Sequence, residues 1–433
     1  MDAPSHPRAD GREPAGPSSW RQPAVLTAAA LSVPVGFAQF GPAAALSDVA
    51  STFGTAAVDP DAVEQLALSG GVIGLGYAVI RLSSLGSLAV AGSADRFGRR
   101  AVLLSTVAVG LVLTATSALA WSYWAFVAIF ALGRPFLSAS NAVAGVTAAE
   151  YTDTKNRSAA IVLVAAGYAV GTGLTLIVRY LGGDALGFRG LFGLAAVPLV
   201  LLPLAARKLK ETARFTAVER TERAAMLGRV PTSVLPRLLL LMLLTGSIAL
   251  VTGPANTYVF FYGEQVAGLS IGTVTLAGLI GGPVGLLGLL AGRWGADHVG
   301  RRVTSAAAMC FAAAGGVLLY SGLDGWSVVL GYPIALAGQA AYGPPAGALD
   351  AELFRTENRA TVAGWLTVSG VLGASAGLLA FGLLWEVIGF AAAALVLFAP
   401  VALVAWLYLL LPETRHAELD AEETAVPRRR RRR

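Results

Sequence analysis

Twelve stretches of about twenty apolar residues run through this 433-residue chain, and they decide its solvent before any other feature is weighed. A helix needs about 20 apolar residues to cross a hydrocarbon layer of ~30 Å. The stretches fall at 23–46, 67–92, 101–120, 122–149, 158–181, 189–206, 236–261, 270–292, 303–321, 325–349, 360–384 and 388–411. Only 13% of the residues are charged, about half the share of a soluble globular chain, and the mean hydropathy is +0.67. These values exclude a soluble enzyme and a disordered chain, and they predict an all-α membrane protein. Several stretches contain Gly and Pro, which lipid-embedded helices tolerate when neighbouring helices satisfy the freed backbone groups.

Orientation follows from Lys and Arg, which gather in cytoplasmic loops. With the N-terminus inside, 28 of the 32 Lys and Arg fall in segments that twelve crossings place in the cytoplasm. Arg179 and Arg189 fall outside, while Arg81 and Arg134 lie within spans. Both termini are therefore expected in the cytoplasm, with the chain in a plasma or bacterial inner membrane. Residues 1–22 are expected to form a disordered tail rather than a signal peptide, since no charged region leads directly into a short apolar stretch with a cleavage site. The net charge of +6 does not point to nucleic acid. The closing run Arg428–Arg433 suits anionic lipid headgroups better, because basic clusters beside membranes attract acidic lipids.

The chain also repeats itself. Asp95-Arg96-Phe97-Gly98-Arg99-Arg100 recurs 202 residues later as Asp297-His298-Val299-Gly300-Arg301-Arg302. Glu150 with Asn156-Arg157 recurs as Glu352 with Asn358-Arg359, and Glu211-Thr212 as Glu413-Thr414, at the same offset of 202. Gly41-Pro42-Ala43 recurs as Gly253-Pro254-Ala255 at 212, the ten extra residues matching a longer first outer loop. Two six-helix bundles are predicted, at 23–206 and 236–412, with a cytoplasmic linker at 207–235 and an Arg-rich tail at 413–433. The repeated charges sit at cytoplasmic helix ends. There a carboxylate beside a Gly-Arg-Arg turn holds two helices by charge-assisted hydrogen bonds, and the glycine permits a tight loop. Asp95, Arg96, Gly98, Arg99, Arg100, Glu150 and Arg157 are the gate candidates of the first copy. Asp297, Gly300, Arg301, Arg302, Glu352 and Arg359 are those of the second. Such clamps would form in one state of a two-state machine and break in the other.

Duplicated six-helix halves with Asp95-Arg96-Phe97-Gly98-Arg99-Arg100 between helices 2 and 3 resemble the major facilitator superfamily of secondary transporters over residues 23–415. Phe188-Arg189-Gly190-Leu191-Phe192, Glu211-Thr212-Ala213-Arg214-Phe215, Gly343-Pro344 nine residues before Glu352, and Leu411-Pro412-Glu413-Thr414 resemble its sugar-porter-like and metabolite-symporter-like branches. The resemblance implies alternating access by two rocking bundles around a site at mid-depth. Departures narrow it. Gly36-Phe37-Ala38 stands where sugar porters carry Gly-Tyr-Asp, so the acidic residue tied to proton coupling is missing from helix 1. Leu250-Val251 replaces the glutamine pair of helix 7, and the tryptophan after the Gly-Pro of helix 10 is absent. Helix 5, Gly167-Tyr168-Ala169-Val170-Gly171-Thr172-Gly173, lacks the Gly-Pro of drug:proton antiporters.

A charge inside the bilayer costs roughly 2.5–3.5 kcal/mol even on insertion scales, so it tends to face a cavity. Arg81 precedes Asp95 by 14 residues and Arg134 precedes Glu150 by 16, placing them ~21 Å and ~24 Å above the inner face at 1.5 Å per residue. No acidic residue lies at that depth. A planar guanidinium suits a carboxylate by bidentate bonding, so the expected substrate is a small organic anion. Arg81, Arg134 and Gln39 would hold it from the N-terminal bundle, and Asn256, Tyr258, Tyr262, Gln339 and Tyr342 from the other. Two readings stay open: the arginines bind or gate substrate, or they cap carbonyls at broken helices, Pro135 following Arg134. The helix 7 aromatics fit a cavity or lipid packing equally well. Arg179 reads as an interfacial anchor. Asp48 and Asp350 are the proton-coupling candidates, unless one anion is exchanged for another.

A sugar or polyol carrier, a drug or natural-product exporter, and a non-transporting sensor on the same fold are the alternatives. Cys310 is the one cysteine, the three histidines lie in polar segments, and no nucleotide loop or catalytic triad occurs. An enzyme, a metal and a cofactor are not expected. The default oligomeric state is a monomer.

Overall fold

The computed structural model describes residues 20–54, 68–211, 231–232, 234–323 and 325–415. The expected tails, up to residue 19 and from 416, and most of the expected linker lie outside the described residues, as does Arg428–Arg433. The remainder is helical: α1 (Pro23–Ala44), α2 (Leu46–Phe53), α3 (Gly70–Ser83), α4 (Gly86–Gly92), α5 (Ala94–Phe97), α6 (Arg99–Ser117), α7 (Tyr123–Glu150), α8 (Thr154–Gly193) and α9 (Leu202–Lys208) come first. After the linker follow α10 (Leu235–Phe261), α11 (Ile271–His298), α12 (Arg301–Leu319), α13 (Trp326–Glu352) and α14 (Thr356–Ala405). Ten helical segments among the described residues are long and apolar enough to cross a membrane. The last of them, Asn358–Leu410, is two crossings broken at Gly389, where φ is 77°. The Pro-rich α13 is a further helix of spanning length, which completes twelve spans in two six-helix bundles.

Glycine also breaks α8, at Gly183 and Gly187 (φ 49° and 52°), separating the fifth span from the sixth close to where the apolar pattern predicts the gap. Serine opens helices on the face away from the Gly-Arg-Arg turns. Ser69, Ser122 and Ser270 each accept the backbone N–H three residues on, at 3.2 Å, satisfying one orphan donor of α3, α7 and α11.

Each bundle is tied by the same small-residue contact. On α8, a side chain on Gly171 would run into the carbonyl of Val33 on α1, and on α14 one on Gly373 would run into the carbonyl of Gly246 on α10. Backbones approach this closely because, in lipid, packing rather than hydrophobic exclusion joins helices. Residues 171 and 373 differ by 202, so the duplication extends from motifs to packing.

The N-terminal core runs from Ala24 to Leu209 within its own bundle. The C-terminal core crosses over and takes in Ala44, Leu46, Ala50, Ile73, Tyr77, Ala78 and Leu176. All seven lie toward the far face, opposite the Gly-Arg-Arg turns (the motif face). There α3 packs along α14, whereas α4 and α5, which continue the same span toward the motif face, pack on α7 and α6 of their own bundle. Near the motif face, side chains built on Gly145, Gly343 or Gly347 would meet nothing within 4 Å. The bundles join at the far face and part toward the motif face.

Candidate functional site

Three polar assemblies sit on this frame. The first is the pair of motif-face clamps. In the N-terminal bundle Arg99 pairs with Asp95 at 2.7 Å and with Glu150 at 3.2 Å, and donates to the carbonyl of Ala94. In the other bundle Arg301 pairs with Glu352 at 3.1 Å and donates to the carbonyl of Ala296. Glu211 accepts the N–H of Arg99 at 2.8 Å and of Arg100 at 3.3 Å, and Glu413 accepts the N–H of Arg301 at 2.8 Å. These carboxylates cap α6 and α12, countering the positive end of each helix dipole. Gly98 and Gly300, at φ 94° and 129°, stand against them, and a Cβ on either would collide with the capping carboxylate. Arg100 and Arg302 reach back to the carbonyls of Ala206 and of Leu409 and Leu411. Arg359 caps α13 through the carbonyls of Ala351 and Phe354. Arg96 and Asp297 are exposed, Arg96 lying over the Phe97 ring. Arg157 is half-buried without an ion pair among the described residues.

Both clamps join two helices within a bundle, and both are formed while the bundles stand apart at this face. The tie between the bundles lies at the other end. Arg179 of α8 donates to Asp48 of α2 at 2.8 and 3.2 Å, and to Glu264, in the π-helical turn after α10, at 2.8 Å and through a second bond. Its side chain is only 6% exposed. Arg179 is therefore no lone interfacial anchor, and the proton-coupling candidate Asp48 is its ion-pair partner. Glu264 is a residue that sequence reasoning missed. Beneath this latch, Phe40 meets Phe260 edge-on at 5.5 Å and Tyr77 meets Tyr258 at 6.4 Å, sealing the two bundles.

The third assembly is at mid-depth in the N-terminal bundle. Arg134 on α7 donates to the backbone carbonyl of Gln39 on α1 at 3.1 Å, not to a carbonyl freed by Pro135. Tyr168 on α8 donates to the Gln39 side-chain oxygen at 3.2 Å. Arg81 is close enough to Arg134 for the two charges to repel, and Tyr168 stands beside both. Neither arginine has an ion pair among the described residues. Arg81 Nε, Arg134 Nε and Gln39 Nε2 are buried with no hydrogen-bond partner there. All three are donors, which asks for an acceptor from outside the chain. Sequence reasoning passed over Tyr168.

The structure places the remaining candidates in two groups. Asn256 on α10 donates to Gln339 on α13 at 2.9 Å, both half-buried. Tyr342 bonds the hydroxyl of Tyr408 at 2.6 Å, with Asp350 nearby. Tyr258 and Tyr262 do not join the polar groups. Tyr258 is fully buried, gives its hydroxyl to the carbonyl of Leu378 and packs edge-on to Trp385 at 4.7 Å. Tyr262 is buried against Tyr320 and Phe390, both at 5.0 Å. Tyr258 is a packing residue of the far-face seal, and Tyr262 packs within its own bundle.

Twelve spans in two duplicated bundles, parted at one face and latched at the other, define the architecture of a membrane transporter. The chain belongs to the Major Facilitator Superfamily, whose family model matches residues 26–377. It is 28% identical over 145 residues to the putative transporter svop-1 of Caenorhabditis elegans, 31% of this chain and 28% of that protein. It is 30% identical over 158 residues to the gallate transporter of Pseudomonas putida, 35% of this chain and 32% of that protein. The matched stretches thus span less than a third of either relative. The crystal structure of a D-xylose-proton symporter aligns with 91% of this chain and 98% of its own at a TM-score of 0.74; at 18% identity that likeness is one of fold.

Proposed function

We propose that this transporter carries a small organic anion of the carboxylate class, by alternating access, across a plasma or bacterial inner membrane. One observation carries the reading: two guanidinium groups and an amide nitrogen, buried together in the N-terminal bundle, present unmatched donors with no carboxylate to match them among the described residues. A carboxylate supplies up to four acceptor sites, takes the guanidinium forks bidentately and cancels charge that is expensive in lipid. Arg81 and Arg134 bind the carboxylate, while Gln39 and Tyr168 hold Arg134 and shape the pocket. Asn256 and Gln339 face hydroxyl or carbonyl groups of the same solute from the other bundle. The matched relative named for gallate, an aromatic carboxylate, supports the class.

Asp350 is the coupling residue of this proposal, since Asp48 is engaged by Arg179. The charge bias puts the motif face, both termini and the 207–235 linker in the cytoplasm. The chain then functions as a monomer with its Arg-rich tail on anionic lipid. Flux into proteoliposomes tests the reading, with aromatic and aliphatic carboxylates set against neutral sugars and cationic amphiphiles. Carboxylate flux that is lost in both Arg81→Ala and Arg134→Ala, at normal expression, is the expected result. Full flux in both variants, or flux of sugars alone, overturns it.

A further inference from the structure

The far-face latch is uneven, and the unevenness has a direction. Arg179 and Asp48 belong to the same bundle, on α8 and α2, whereas Glu264 belongs to the other. When the bundles part at this face, Arg179 and Asp48 travel together and Glu264 leaves. We infer that Asp48 is the standing counter-charge of Arg179 and that Glu264 is its switching partner, so that the two carboxylates on one guanidinium bias the transporter in opposite directions. The inference rests on the alternating-access reading above.

The physics is that of a buried charge with two alternative states. Breaking a buried ion pair is costly mainly because one charge is left desolvated and alone. With Asp48 present, opening strips Arg179 of Glu264 but leaves it neutralised, and Glu264 is released to water. With Asp48 neutral, the same opening would leave a guanidinium that is 6% exposed in the latched state with no carboxylate partner from its own bundle among the described residues, so it holds Glu264 more firmly. With Glu264 neutral, nothing charged crosses the seam and the bundles part more readily. All three residues sit where the helix is interrupted: Asp48 just past the Ala45 break, Glu264 in the π-turn Tyr262–Val266, and Arg179 four residues before Gly183. A one-helix rearrangement is therefore not needed to separate them.

The test uses purified full-length protein in nanodiscs, with Cys310→Ser as background and one cysteine added at a time. Ala44→Cys lies in the seam below the latch, where Ala44 has no exposure. Gly145→Cys lies near the motif face, where a side chain meets open space. Alkylation rates by a hydrophilic maleimide report how often each face opens. Glu264→Gln is expected to raise the Ala44→Cys rate and lower the Gly145→Cys rate, each about tenfold, the equivalent of one charge-assisted hydrogen bond. Asp48→Asn is expected to shift both rates the other way by a similar factor. Glu264→Asp, charged but shorter, is expected to fall between wild type and Glu264→Gln, and it keeps the test sound if a neutral variant misfolds. If both neutral variants raise the seam rate and lower the motif-face rate, or if only Glu264→Asp moves the two rates reciprocally, the division of roles is wrong and alternating access stands. If the two faces do not respond reciprocally in any variant, the alternating-access reading fails and this inference with it.

Discussion

At the motif face the two bundles share one set of bonds at the same offset. Arg99 and Arg301 take Glu150 and Glu352, Glu211 and Glu413 cap the following helices, and Gly98 and Gly300 make room for those caps. At mid-depth the copies share nothing polar. The positions that match Arg81, Arg134 and Tyr168 at 202 are Pro283, Leu336 and Gly370, and the match of Gln39 at 212 is Val251. Going the other way, Gln339 and Asp350 match Leu137 and Ala148. The duplicated bonds serve what both bundles must do, which is to hold their helices as rigid bodies. The unduplicated groups serve what only one bundle does. That contrast fits the proposed function, in which the N-terminal bundle would grip the charge of the solute and the other would read its neutral remainder.

The sharpest way to break this contrast is to make the first bundle look like the second. Arg134→Leu installs the residue of the matched position. If Arg134 binds substrate, carboxylate affinity falls roughly hundredfold, the cost of removing one partner of a desolvated charge pair. The melting temperature in detergent holds or rises, because a buried cation without a counter-charge is gone. If Arg134 instead serves the fold through the Gln39 carbonyl, the melting temperature drops. Isothermal titration with a benzoate-type ligand and a thermal scan on one preparation separate the outcomes.

The next effect tests the equivalence of the clamps. Gly98→Ala and Gly300→Ala each force a side chain into a backbone region that favours glycine and against a capping carboxylate, at roughly 1–3 kcal/mol. The two are expected to lower the melting temperature alike. Glu211→Gln and Glu413→Gln should follow at about 0.5–2 kcal/mol each, the range for losing a helix cap. A large loss in one bundle and none in the other would show that the copies have diverged at the motif face as well.

Much of the frame was legible in the sequence because lipid leaves a chain few options. Backbone groups must be paired within helices, so length and hydropathy alone give the crossings, and Gly183 and Gly389 mark two of the breaks. Arg81 and Arg134 stood out for the same reason: a charge in an apolar run has no bland surroundings to hide in. Tyr168 did not, since a tyrosine in a membrane helix looks like packing until Arg134 and Gln39 are brought to it. Tyr258 and Tyr262 misled for the converse reason. Their polar-aromatic character was visible, but which way a helix face turns is set by its neighbours, and Leu378 and Trp385 turn Tyr258 into the seal. The latch was the least legible. Asp48, Arg179 and Glu264 each lie near a membrane surface, where single charges are ordinary, and 131 and 85 residues of chain separate Arg179 from its two partners. Only the meeting of the two bundles assembles them.

The smallest expected effect bears on where the duplication starts to fade. Asp95 pairs with Arg99 at 2.7 Å one helical turn away, but its side chain is 60% exposed. An ion pair in that setting is screened by solvent and contributes only about 0–1 kcal/mol. Asp297, at the matched position, forms no ion pair among the described residues, and Arg301 instead engages both oxygens of Glu352, at 3.1 Å each. Asp95→Asn should therefore lower the melting temperature slightly, and Asp297→Asn should leave it unchanged. The difference should vanish at 1 M salt, where the Debye length shrinks to about 3 Å and an exposed pair no longer attracts. If Asp297→Asn has the larger effect, or if salt leaves the difference intact, then these aspartates are buried partners in a state other than the one described. The motif face would then close across the bundles through them, rather than through the arginines that hold each bundle together.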